Sequence, residues 1–163
     1  MIRLIIILAA LAIAAPVGGY QGAEHRPVPT LPPALAPDLS AIPEAWRDMI
    51  VDAAAAANVP ALVLAGLARA ESDYTPAPRH RDPLDRGMFG IREAPGYHEE
   101  RTLLYGEFDP EIPEQAARIA AGILRDHLDR FEWLPLALTA YHRGAGWAAR
   151  HGVDWEYVRR VRP

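Results

Sequence analysis

The segment from Pro113 to Phe131 constrains the fold most, because it combines length with a regular helical repeat. Apolar side chains recur there every three or four residues, a spacing that puts them on one face of an α-helix. No β-rich run of comparable length occurs in the chain. The sequence therefore predicts a mainly α fold, with any sheet confined to a small hairpin within residues 76–110. The repeating face comprises Ala116, Ile119, Ala120, Ile123, His127 and Phe131, and we interpret His127 as a packed or boundary histidine.

Other segments of the chain carry helical signals of their own. Asn58 and Pro60 interrupt the pattern early, and Gly144 and Gly146 are expected to end a later helix. The predicted helices are 43–57, Pro60–Ser72, Pro113–Phe131, Trp133–His142 and about 154–161.

A long insertion separates the second predicted helix from the third. Residues 73–111 contain several prolines and glycines and show little helical periodicity beyond short turns. A loop of this length inside a compact domain is uncommon and is normally functional. We therefore expect it to form one wall of a cleft.

The N-terminus has the composition of a targeting segment. Arg3 precedes an uninterrupted apolar run that ends at Ala15, which is short for a membrane span but suits the core of a signal peptide. The prolines that follow predict an extended spacer. We interpret 1–23 as a signal peptide or membrane anchor, 24–41 as a Pro-rich linker and 42–163 as the folded domain. The protein is thus expected to be exported to the periplasm or cell envelope.

Composition excludes several classes of function. The formal net charge of −4 argues against a protein that binds nucleic acid by neutralising phosphates. The absence of cysteine excludes a disulfide framework, a thiolate metal site and a cysteine nucleophile. No motif has metal-ligand spacing, so we expect neither metal nor cofactor.

Glu71 is the strongest candidate for a chemical role. It continues an apolar stripe formed by Leu64, Leu67 and Ala68, and it lies in the last turn of its helix. Burial and the negative end of the helix dipole both disfavour the ionised carboxylate, so a raised pKa is predicted. Such a group suits a general acid. The alternative is an acid at the rim of the core whose head reaches water.

Four segments occur in an order that resembles the lysozyme-like lytic transglycosylase family, which is related to goose-type lysozymes. That family shows a Glu-Ser pair, a Gly-Leu-Met-Gln or Gly-Leu-Phe-Gln turn, an Ala-Tyr-Asn-Ala-Gly segment and a late tyrosine. The matching segments here are Glu71-Ser72, Gly87-Met88-Phe89-Gly90-Ile91, Ala140-Tyr141-His142-Arg143-Gly144 and Tyr157-Val158. Two positions depart from the pattern, since Gly90 replaces the glutamine and His142 replaces the asparagine.

The resemblance implies a lysozyme-like helical domain with Glu71 as the catalytic residue. For Tyr141 it implies a hydroxyl bonded to the catalytic carboxylate or to substrate. Met88 and Phe89 are expected to form an apolar wall under sugar rings, although Phe89 could equally pack in the core. Ser72 either supports the acid or satisfies the helix end. The implied substrate-binding residues are Ser72, Gly87, Met88, Phe89, Gly90, Tyr141, His142 and Tyr157.

The implied activity is cleavage of peptidoglycan glycan strands with formation of 1,6-anhydro-N-acetylmuramic acid, using Glu71 as the only acid and base. A hydrolytic, goose-type lysozyme is an alternative and requires Asp82 or Asp85 to hold a water. A non-catalytic murein-binding module is another, motivated by Gly90 and His142. The expected partners are glycan strands and an envelope or secretion-machinery protein, and a monomer is expected.

Overall fold

The computed structural model describes residues 38–162, and the predicted signal or anchor segment 1–23 lies outside the described residues, as does the predicted linker up to residue 37. Within the described range the fold is mainly α, as predicted, and the sheet is a single small hairpin. None of the helices in this range is long and apolar enough to cross a bilayer. After a 3₁₀ turn at Leu39–Ala41 the elements are α1 (Glu44–Ala56), α2 (Ala61–Ser72), β1 (Asp85–Arg86), β2 (Ile91–Arg92), α3 (Tyr97–Tyr105), α4 (Pro113–Phe131), α5 (Leu134–Arg143), α6 (Ala145–His151) and α7 (Trp155–Val161).

Helix α4 is the centre of the packing, and it begins and ends where the periodicity predicts. It packs against α1 and α5, while α5 also contacts α6 and α7. The fully buried side chains Leu64, Leu67, Ile119 and Leu124 lie in one continuous core. Burial of each such side chain contributes about 1.5–3 kcal/mol relative to exposure.

Helices α2 and α7 approach each other unusually closely, and this contact positions the candidate site. A Cβ at Gly66 would lie 1.9 Å from the carbonyl oxygen of Val161, so only glycine permits the approach. Arg69 adds hydrogen bonds to the carbonyl oxygens of Arg160 and Arg162 at the end of α7. As a result, the inner face of α7 lies beside the last turns of α2.

The insertion between α2 and α4 is partly ordered by its own contacts. Strands β1 and β2 are antiparallel, with Asp85 opposite Arg92. The guanidinium of Arg92 binds both Asp82, at 2.8 Å, and Asp85, at 3.1 Å. Arg92 therefore compensates the charge of both acids.

Two helices were not predicted from the sequence. Helix α3 occupies part of the insertion that was expected to contain only short turns, and none of its residues is fully buried. Helix α6 begins directly after Gly144 and includes Gly146, where the helical region was expected to end. The Gly144 carbonyl accepts the first backbone hydrogen bonds of α6, from Trp147 and Ala148, so the glycine ends one helix and starts the next.

Candidate active site

Glu71 lies one residue before the end of α2, at the border between the core and a surface cleft. The helix ends there because Asp73 and Tyr74 adopt left-handed backbone conformations, with φ of 50° and 59°. The turn leaves the Glu71 side chain half-buried, with its stem on the apolar stripe and its carboxyl group at the cleft wall. The position predicted from the periodicity of α2 is thus the one observed.

Tyr157 supplies the hydrogen bond to the Glu71 carboxyl group. Its hydroxyl donates to Oε1 of Glu71 at 2.5 Å, and its side chain is almost fully buried. The close approach of α7 to α2 at Gly66 brings these two residues together across 86 positions of sequence. Asp154 caps α7 by accepting the Tyr157 backbone N–H, which fixes where the helix begins.

Gly90 lies against the other carboxylate oxygen. The residue has a φ of +59°, and a Cβ built there would be 2.8 Å from Oε2 of Glu71. The carboxyl group therefore occupies the space that a side chain at this position would fill. Among the described residues, Oε1 of Glu71 has the Tyr157 hydroxyl as a hydrogen-bond partner and Oε2 has none.

The pKa of Glu71 is raised above the ordinary glutamate value, in the predicted direction. Burial is the largest cause, because it removes water from the ionised form, and the negative charge of Asp85 adds to it. The Tyr157 hydrogen bond, Arg160 and His80 act in the opposite sense by stabilising the carboxylate. On balance, Glu71 remains a neutral carboxylic acid up to a higher pH than an exposed glutamate does.

An open cleft of about 640 Å³ borders the acid. The cleft contains both acidic and basic side chains, and the insertion forms one of its walls, as expected from the sequence. Within residues 38–162 no group of histidine, aspartate and glutamate side chains is arranged to hold a metal ion. The lining residues are Ala70, Glu71, His80, Arg81, Asp82, Pro83, Asp85, His142, Arg143 and Arg160.

The predicted hydrogen bond from Tyr141 to the catalytic carboxylate is wrong. Its hydroxyl donates to the backbone carbonyl oxygen of Phe89 at 2.8 Å, rather than to Glu71 or to the cleft. Helix α5 brings Tyr141 to the turn after β1, whereas α7 brings Tyr157 to the acid. Burial raises the pKa of the Tyr141 hydroxyl, with the charge of Glu71 as a smaller cause, so Tyr141 acts as a neutral donor that anchors the turn.

The predicted apolar wall under the sugar rings is wrong for Met88, and for Phe89 the alternative of core packing is the one observed. Met88 and Phe89 are both 0% exposed and belong to the hydrophobic core. Gly87 is buried beside them, and a Cβ there would lie 1.7 Å from the carbonyl oxygen of Pro110. The turn thus inserts its middle residues into the core, and of this segment it is Gly90 that contacts the acid.

Two further candidates, Ser72 and His142, have different surroundings. The hydroxyl of Ser72 donates to the carbonyl oxygen of Ala68 at 3.1 Å, so it satisfies its own helix end, one of the two expected roles. His142 lines the cleft at the end of α5. Its ring stacks on Tyr157, with centroids 4.2 Å apart and planes 6° from parallel.

Three residues near the acid were not identified from the sequence. Arg160 follows Tyr157 by three positions, so helical spacing could have placed it on the same face of α7. Its guanidinium lies 5.2 Å from the Tyr157 ring centroid. Asp154 could have been found as a helix N-cap. His80 contacts the Gly87 carbonyl oxygen at 2.8 Å, and no sequence signal marks it.

The fold and the acid-bearing cleft define a lysozyme-like helical domain. The sequence model of the transglycosylase SLT domain family matches residues 48–153, which is most of the described domain. The chain therefore belongs to this family. No curated protein sequence matches the chain.

A solved structure shares the fold. It is the X-ray structure of the lytic transglycosylase Slt from Pseudomonas aeruginosa, in the form of an inactive mutant with a glutamate replaced by glutamine. The TM-score is 0.59, the sequence identity is 20%, and the match covers 74% of this chain. The match spans 23% of the length of that chain.

Proposed function

We propose that the protein is a peptidoglycan lytic transglycosylase and that Glu71 is its only catalytic acid and base. The observation that carries the proposal is a glutamate with a raised pKa, held by Tyr157 at the wall of an open cleft. Membership in the transglycosylase SLT domain family supports the substrate class.

The first step requires a proton at the leaving oxygen. The bond cleaved joins N-acetylmuramic acid to N-acetylglucosamine, and its oxygen leaves as a hydroxyl after Glu71 donates its proton. A carboxylic acid with a raised pKa remains protonated nearer neutral pH, which makes it competent for this transfer. The acetamido oxygen of the muramic acid residue attacks the anomeric carbon as the glycosidic bond breaks, so the substrate supplies the nucleophile.

The second step returns the proton to Glu71. Glu71 is a carboxylate after the first step, and it removes the proton of the sugar 6-hydroxyl. That oxygen attacks the anomeric carbon, displaces the acetamido oxygen and closes the 1,6-anhydro ring. Tyr157 donates a hydrogen bond to the carboxyl group, which stabilises the ionised form between the two steps. No water is consumed, so the reaction is a non-hydrolytic cleavage.

The environment of the neighbouring acids favours this single-acid route over hydrolysis. Asp82 and Asp85 line the same cleft, but both bind the guanidinium of Arg92. The Leu84 backbone N–H and Arg92 lower the pKa of Asp82. A carboxylate with a lowered pKa is a weak base and is poorly suited to activating a water molecule.

Digestion of purified murein tests the reaction type. The soluble fragments are separated and identified by mass spectrometry, and the proposal predicts ends that carry 1,6-anhydro-N-acetylmuramic acid. Reducing ends alone would identify a hydrolase instead. Protein that binds sacculi without releasing any fragment would identify a non-catalytic binding module.

A matched pair of variants tests the residue assignment. Glu71→Gln removes the ionisable proton while preserving shape, and we expect murein clearing to fall by about 10²–10⁴-fold. Glu100→Gln makes the same chemical change at an exposed position of α3 and should leave the rate unchanged. Equal rates for wild type and Glu71→Gln would refute the assignment.

We further propose that the protein acts in the periplasm or cell envelope, where its substrate lies. The apolar run that ends at Ala15 and the proline-rich stretch after it support export. Fractionation of cells that express the full chain tests this, with recovery in the envelope or periplasmic fraction as the expected result. Recovery in the cytoplasm alone would contradict it.

A further inference from the structure

His142 lies between an acid and the tyrosine that holds Glu71. Its imidazole ring is parallel to the Tyr157 ring, with a 4.2 Å separation of centroids. The Tyr157 side chain is 1% exposed, whereas His142 forms part of the cleft lining. The histidine thus stacks on the buried Tyr157 ring and itself lines the cleft.

Asp154 lies beside the His142 ring and is itself held by several hydrogen bonds. Its Oδ2 lies 3.3 Å from Nδ1 of His142 and also accepts a hydrogen bond from Nε of Arg143 at 3.1 Å. Its Oδ1 accepts the Tyr157 backbone N–H at 3.2 Å. The Asp154 backbone N–H donates to the Thr139 hydroxyl at 2.9 Å. Because Asp154 is tied to both α5 and α7, it sets the ring of His142 relative to that of Tyr157.

These contacts form one continuous path to the acid. Asp154 orients His142, His142 stacks on Tyr157, and Tyr157 donates to Oε1 of Glu71. A flat ring stacked this closely on Tyr157 restricts the tilt of the phenol ring, and with it the position of the phenol hydroxyl.

We propose that His142, oriented by Asp154, is a positioning residue that holds the Tyr157 hydroxyl on the Glu71 carboxyl group. The inference rests on the proposed role of Glu71 and is an alternative to the expectation that His142 contacts substrate. It also gives the departure from the family asparagine a function, since an asparagine has no ring to stack on Tyr157.

Three variants separate stacking from charge. His142→Ala removes the ring, whereas His142→Phe keeps an aromatic ring and removes the contact with Asp154. Asp154→Asn preserves a side chain that can cap α7 but removes its charge. His151→Ala is the matched control, because His151 stacks on Trp147 of α6, with ring centroids 4.6 Å apart, and does not line the cleft beside Glu71.

The primary readout is the titration of the Glu71 carboxyl group by ¹³C NMR. The Tyr157 hydrogen bond lowers the pKa of Glu71, so loosening it in His142→Ala should raise the midpoint. His142→Phe should restore most of the wild-type midpoint, Asp154→Asn should give an intermediate value, and His151→Ala should match wild type. The charged groups that influence His142 are Asp154, Arg143 and Arg160.

An unchanged midpoint in His142→Ala would overturn the proposal. A midpoint in His142→Phe equal to that in His142→Ala would also overturn it, because the effect would then come from charge rather than stacking. With murein, His142→Ala should lower kcat roughly tenfold, whereas a higher KM with unchanged kcat and pH profile would identify a substrate contact. The titration needs no turnover, so a wild-type protein that fails to cleave murein would refute the proposed function separately.

Discussion

The contact between Gly90 and Glu71 gives a prediction that opposes the family pattern. Replacing Gly90 by alanine adds one methyl group whose carbon would lie 2.8 Å from Oε2 of Glu71 and 3.2 Å from the carboxyl carbon. Glutamine, the residue expected from the resemblance, adds the same Cβ. Both substitutions should therefore impair the site, even though glutamine matches the family.

The expected losses of stability and of activity in Gly90→Ala have separate causes. A left-handed backbone, here with a φ of +59°, costs a residue with a Cβ about 1–2 kcal/mol in the free energy of unfolding. Ordinary van der Waals contact begins at 3.4 Å, so Oε2 must move by 3.4 minus 2.8, or 0.6 Å. A misplacement on the order of 1 Å can lower catalysis about 10²-fold, so we expect a loss of roughly 10- to 100-fold in Gly90→Ala.

Gly96→Ala is the control that separates backbone strain at a left-handed residue from displacement of the Glu71 carboxyl group. Gly96 has a φ of +87°, and nothing lies within 4 Å of a Cβ built there. Both variants should lose similar stability in denaturant unfolding, but murein clearing should fall in Gly90→Ala alone. Equal activity of the two variants, measured well below their melting temperatures, would refute the proposed contact between Gly90 and the acid.

Three further predictions concern the acid and its neighbours. Tyr157→Phe removes the hydrogen bond that lowers the pKa of Glu71, so the pH at which activity falls on the alkaline side should rise; an unchanged pH profile would contradict this. Asp82→Asn and Asp85→Asn should each retain more than about a tenth of the wild-type rate of murein clearing. Loss of a base that activates water would instead lower the rate about 10²–10⁴-fold, so abolished turnover would favour the hydrolase. The pKa of Glu71 is higher in the folded state than in the unfolded state. Between these two pKa values the folded state binds more protons, so the stability of the wild-type protein falls as pH rises through this range. Chemical denaturation should therefore show that Glu71→Gln becomes more stable relative to wild type as pH rises through this range. A stability difference between the two proteins that does not change with pH would contradict the raised pKa.

Periodicity predicted the parts of the fold that bury a regular stripe. Helix α4 has the bounds expected from its spacing, and α2 places Glu71 where the stripe of Leu64 and Leu67 predicts. Helix α3 could not be found in this way, because Leu103 and Leu104 are 87% and 62% exposed and leave no stripe to detect. Its start depends instead on a local contact, in which the Glu99 side chain accepts the Gly96 backbone N–H at 3.0 Å.

The details of the site depend on distances that a sequence does not contain. Tyr141 and Tyr157 both lie on buried helix faces, and only the packing of α7 on α2 decides which hydroxyl meets Glu71. Similarly, an apolar pair such as Met88 and Phe89 suits a sugar-binding wall and a core equally well. Met88 and Phe89 are completely buried because Tyr141 and contacts in the core hold the turn in place. No local sequence pattern specifies these contacts.

The titration of Glu71 in the purified wild-type protein, followed through its side-chain carboxyl ¹³C signal, tests most directly whether this residue can donate a proton. Comparison with Glu71→Gln assigns the signal. A midpoint clearly above that of an ordinary exposed glutamate is the predicted result, because burial disfavours the carboxylate. A midpoint at or below the ordinary value would contradict the account, since the residue would then be ionised before it could act as an acid.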